Sequence, residues 1–102
     1  VRPEALASLA ECWFHEGSWQ WALPVARRAV ALARASASPA LEAAAGNLYE
    51  IARYRGTDEE AAAMADLLAD LREQAGDQSE ARRYRRQAAL VPQGEPPLRV
   101  VA

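Results

Sequence analysis

Apolar positions recur at helical spacing along most of the chain. After Pro3, which suits a first helical turn because its missing N–H would have no partner there, Leu6, Leu9, Ala10 and Trp13 mark one face, and Gly17 stops the helix. A second helix is expected from near Ser18 to about Arg34, with Ala22, Val25, Ala26, Ala29 and Leu32 inward. Pro24 falls past its first turn, which predicts a kink or a late start to the regular part. Ser36, Ala37 and Ser38 form a link, and Ser38-Pro39 reads as a cap followed by a first-turn proline. The third helix carries Leu41, Ala45, Leu48 and Ala52 to Arg55 and ends at Gly56. Thr57 with Glu60 matches a capping box, in which each side chain satisfies a backbone donor of the other residue. Ala61, Met64, Leu68 and Leu71 continue a fourth helix to near Gly76, Asp77 with Glu80 repeats the capping logic, and a fifth helix runs through Tyr84, Ala88 and Val91 until Pro92. The remaining residues, 92–102, hold three prolines and a glycine and are expected to be extended or disordered, with an apolar end able to dock on a neighbouring helix.

One stretch organises this pattern. Gly17-Ser-Trp-Gln-Trp-Ala22 opens a helix whose small residues recur at Ala22, Ala26 and Ala29, a spacing that lets a second helix approach closely. A similar turn, Gly56-Thr-Asp-Glu-Glu-Ala61, returns 39 residues later with the glycine and the alanine five positions on both in place. Such recurrence predicts stacked helical hairpins, an architecture that holds partners more often than it does chemistry.

Composition agrees with helices. The 102 residues suffice for one domain and bury about 60 to 70% of the unfolded surface. Alanine, leucine, arginine and glutamate dominate, and aromatic residues are only 7%. The net charge of −2 points neither to nucleic acid nor to acidic substrates, but its distribution is uneven. Eight acidic residues lie between Gly56 and Glu80 against Arg72 alone, and Arg82, Arg83, Arg85 and Arg86 then reverse the sign. All twelve basic residues are arginine, which favours forked contacts to carboxylates between helices. A single cysteine, Cys12, cannot form an internal disulfide, no apolar run reaches membrane-span length, and no charged-then-apolar leader opens the chain. A cytoplasmic protein is expected. Because residue 1 is valine and not methionine, a segment of a longer protein is expected too.

In the first helix pair, Leu6, Leu9, Ala10, Trp13, Gly17, Trp19, Ala22 and Ala29 fall where tetratricopeptide repeats carry matching residue types, and the chain resembles that family. In the second pair Leu48, Gly56 and Ala61 match, whereas Tyr49 stands where a small residue is usual and Ala52 where an aromatic is usual. That departure implies altered packing between the hairpins. The spacing is similar to the longer repeats of about 40 residues found in scaffold proteins and large bacterial regulators. The resemblance covers residues 4–91 and implies an all-α domain over 1–91, built as a short solenoid of two antiparallel hairpins plus a capping helix, with 92–102 as a proline-rich tail. A competing alignment takes Gly76 and Ala81 as a third turn.

Such repeats line a concave side with the first helix of each pair. The resemblance therefore implies a partner groove lined by Glu4, Ala7, Glu11, Phe14 and His15, then Glu50, Arg53 and Tyr54, then Arg82 and Arg85. Mixed charge with two aromatics suits a protein or peptide partner, either an extended peptide or a helix. The blander reading is a solvated face with internal salt bridges. The family's grip on C-terminal carboxylates through groove lysines and asparagines is not expected, since the chain has no lysine and Glu11 and Glu50 occupy groove positions. Trp13 and Trp19 are expected between the first two helices. Trp21 points some 200° from Trp19 and is expected under a preceding repeat, a second chain or a bound partner, so self-association is open.

Other candidates are weaker. Arg82 to Arg86 could contact phosphates, which makes nucleic-acid binding the alternative function, although four charges on a short helix give only salt-sensitive, nonspecific affinity. Pairing with the acidic fourth helix is the preferred role. Cys12 and His15 lie three apart, but neither an orienting carboxylate nor a glycine-rich oxyanion loop is evident, so a packed thiol is expected and no catalytic site, cofactor or metal.

Overall fold

A computed structural model describes residues 2–90, and every regular element in them is helical. The order is α1 (Pro3–His15), α2 (Trp19–Ala35), α3 (Leu41–Arg55), α4 (Asp58–Gln74) and α5 (Gln78–Leu90). Each helix packs on the next in sequence, and α1 also packs on α3. Val91 and the 92–102 tail lie outside the described residues.

The core follows from the small-residue spacing. Ala10, Ala22, Ala26, Ala29, Ala33, Ala44, Ala45, Ala61, Ala65 and Ala69 have no exposed surface, and the largest fully buried side chains are Ile51 and Leu68. Alanines at i, i+4 and i+7 on α2 leave a shallow stripe into which α1 and α3 settle. Leu6, Trp13, Leu41 and Tyr84 pack around this centre from the half-buried rim. The inward positions expected for α2, α3 and α4 are buried or half-buried.

Three of the four turns share one geometry. After α1, the Ser18 N–H donates to the Trp13 carbonyl and the Gly17 N–H to Phe14, with Gly17 at φ +82°. The same pair of bonds follows α4, where Gly76 sits at φ +85°, and follows α2, where the left-handed residue is Ala37 at φ +51°. The turn after α3 differs. Gly56 has a negative φ of −102° and is required for space, since an added Cβ would lie 2.8 Å from Ala52 Cα. Gly17 and Gly56 thus recur 39 residues apart for different physical reasons, which the sequence pattern had treated as one.

Both capping boxes form only half of the expected exchange. The Glu60 N–H donates to Thr57 Oγ1 and the Glu80 N–H to Asp77 Oδ1. The carboxylates do not return to the cap backbone: Glu60 takes a forked contact from Arg27 at 2.8 and 2.9 Å, and Glu80 one from Arg83. A guanidinium offers two charged donors where the cap offers one neutral N–H, so the ion pair wins. Ser38 also departs from expectation. Its hydroxyl accepts the Ala40 N–H in a separate turn, and α3 starts at Leu41 instead of at Pro39. Pro24 lies inside one continuous α2 on its exposed side, where water can satisfy the Gln20 carbonyl that it leaves free.

Two substitutions check this account in urea melts followed by circular dichroism. Ala37→Gly should stabilise by about 0.5 to 1 kcal/mol by removing a left-handed alanine, and no gain would contradict the turn. Met64→Ala, at a site 8% exposed on α4, should cost roughly 2 to 5 kcal/mol.

Candidate protein-binding surface

Tight turns make successive helices antiparallel, so α1, α3 and α5 run the same way. Side-chain pairs show their alignment. Asn47 Nδ2 donates to the Ala7 carbonyl at 3.0 Å, and Phe14 stacks near Tyr54 with ring centres 6.1 Å apart, both across 40 residues. Between α3 and α5 the link is Tyr49 Oη to Gln87 Oε1, across 38 residues.

The end of α1 and the end of α3 build an aromatic and cationic surface. Phe14 meets the Trp19 ring edge-on at 4.9 Å and lies 5.7 Å from His15. The Arg55 guanidinium sits 4.9 Å above Trp19, and that of Arg53 lies 5.7 Å from Tyr54 and 5.5 Å from Tyr49. Arginines at the C-terminal end of α3 also complement the negative end of its dipole. Tyr54 nevertheless stays 61% exposed. One to two turns back along the helices the surface turns acidic, with Glu11 3.8 Å from His15 and Glu50 3.6 Å from Arg53. Glu4 is exposed one turn before Ala7.

A cleft of about 240 Å³ separates α3 from α5. Gly46, Tyr49, Glu50 and Arg53 form one wall, Arg83, Tyr84 and Gln87 the other, and Leu68 of α4 the base. Its cause is Tyr49. The buried side chains of α1, which packs directly on α3, are the alanines Ala7 and Ala10; Tyr49 is buried but large, and no Cα of α5 comes within 8 Å of α3. The tyrosine holds α5 off and spans the gap with its hydroxyl.

Several expected groove positions are corrected. Ala7 is buried between α1 and α3, with only its carbonyl in use. Arg85 turns away from the cleft to α4, 2.8 Å from Asp70, 2.9 Å from Glu73 and 3.8 Å from Asp66, and its hydrogen bonds to Asp70 and Glu73 raise its pKa above the usual arginine range. Arg82 is exposed outside the cleft. Arg83, Tyr84 and Gln87 line the α5 side of the cleft instead, with Gln87 facing Tyr49. Arg83 forms an ion pair with Glu80, which lowers the Glu80 pKa and raises that of Arg83. So pairing of the arginine-rich helix with α4 holds for Arg85, while Arg82 and Arg86 form no ion pair among the described residues.

Trp21 is 57% exposed, its ring 6.4 Å from that of Trp13. Trp19 is half-buried against Phe14 instead of wholly between α1 and α2. Cys12 is exposed and not packed. Among the described residues no cluster of histidine, cysteine and carboxylates could hold a metal ion, and no helix is long and apolar enough to cross a membrane. Comparison with protein-family models, curated proteins and solved structures finds no match.

The wedge role of Tyr49 is testable by denaturation. Tyr49→Phe should lose about 1 kcal/mol with the Gln87 bond, and Tyr49→Ala roughly 3 to 5 kcal/mol; a neutral Tyr49→Phe would mean that the hydroxyl bridge carries nothing.

Proposed function

We propose that this chain is a protein-interaction module of the tetratricopeptide-repeat type, in which the face shared by α1, α3 and α5 binds an extended peptide segment of a partner, as one part of a larger scaffold or regulatory protein. The observation that carries the reading is the run of half-exposed aromatics and guanidinia from Phe14 through Tyr54 and Arg53 into the cleft floored by Leu68. Stacked aromatics lose little conformational freedom on binding, and arginine adds directional charge, the combination that concentrates binding energy. The repeat-like alignment of α1 on α3, with alanines at the contacts, supports the solenoid arrangement. The peptide that fits places an aromatic or aliphatic side chain against Phe14 and Tyr54 and a carboxylate beside Arg53. A basic residue further along would meet Glu50 or Glu11.

Panning a random peptide library on the full chain tests this. Selected peptides should combine an acidic and an apolar residue. Arg53→Glu and Tyr54→Ala should each weaken them about tenfold or more, while the helicity seen by circular dichroism stays unchanged because both side chains are exposed. Peptides whose binding ignores both substitutions would remove this face as the site.

A further inference from the structure

The two ends of the helical stack differ in polarity. Stacked helical hairpins stay monomeric when their outermost faces are polar. The α5 end meets this condition: Ser79, Arg82 and Arg86 are exposed on its outer side, Leu90 apart. The α1–α2 end does not. Leu9 is 39% and Trp21 57% exposed, Trp13 closes on Trp21, and Ala5 and Cys12 continue the apolar strip along α1. This surface lies apart from the aromatic cluster at Phe14 and Tyr54.

Charges on the same face are arranged for self-pairing. Glu16 ends α1, three residues after Trp13, and lies at the turn. Arg28 follows Trp21 by two helical turns, about 10 Å along α2, and so lies towards the opposite end of the strip. Both are exposed, and neither forms an ion pair among the described residues. A two-fold axis lying in the plane between two copies of the face, perpendicular to the line from Glu16 to Arg28 and passing beside Trp21, exchanges its ends and lays Glu16 over Arg28 of the partner subunit, twice by symmetry. A head-to-tail stack would instead set this apolar strip against the polar outer side of α5.

We propose that two copies of this chain associate through the α1–α2 face about such an axis, with Trp21 as the central anchor and Glu16 and Arg28 setting the orientation. The face is two helices wide and about 20 Å long, below the usual size of a stable interface, so half-association is expected at a concentration on the order of tens of micromolar.

Sedimentation equilibrium of the full chain across that range, with tryptophan emission recorded in parallel, decides it. The mass should double with rising concentration as the emission moves to shorter wavelength. Trp21→Glu should give the single-chain mass throughout with helicity unchanged. Glu16→Arg and Arg28→Glu should each weaken association about tenfold, and the double substitution, which swaps the charges, should restore it. A single-chain mass at every concentration overturns the proposal and leaves the face to another occupant. Association that survives Trp21→Glu, or that the charge swap fails to restore, overturns the two-fold arrangement.

Discussion

Close approach of helix backbones through alanine is the constraint on which the rest of this structure depends. A core whose fully buried positions are nearly all alanine gains little apolar area per residue, so its cohesion comes from many short contacts between backbones and not from a few large side chains. That arrangement leaves no slack. Where a turn brings Gly56 against Ala52, even one added carbon collides. It also leaves most of the large side chains, Trp13, Phe14, Trp19, Trp21, Tyr54 and Tyr84, at the rim or outside, where they are free to contact other molecules.

Tyr49 shows what happens when the constraint is relaxed at a single place. One large residue, where the buried side chains of α1 are only alanines, leaves a cleft in place of a helix contact, and its hydroxyl and Gln87 then supply the polar closure. Ion pairs do similar bridging elsewhere. Arg27 reaches from α2 to Glu60 at the start of α4, and Arg72 from α4 to Glu42 on α3. With no lysine in the chain, each such link is a planar fork with a fixed geometry.

Much of this was legible from residue spacing. Helix number, the inward faces of α2 to α4 and the exposure of Trp21 follow from a 3.6-residue period and the angle between Trp19 and Trp21. What was not legible depended on counts finer than the repeat. The 39-residue spacing read from Gly17 and Gly56 is 40 between the side chains that meet across α1 and α3 and 38 between those that meet across α3 and α5, so a single repeat length did not give the α5 residues that line the cleft. Tyr49 was a visible signal of altered packing, but its direction required knowing which helix it faced. The capping motifs were correct as backbone caps and silent about their carboxylates, because Arg27 is 33 residues from Glu60.

The attachment of α5 has a kinetic consequence. It packs on α4 alone, and its link to α3 is a single side-chain bridge across an open cleft, so it shares little of the cohesion that holds α1 to α3 together. Such an element forms its own unit of local opening, lifting at a lower free energy than global unfolding. Each opening bares Leu68 and the inner side of α4. The base of the cleft is therefore reached in two ways, through a narrow polar slot while α5 is seated and along a broad apolar surface for the brief intervals when it is not.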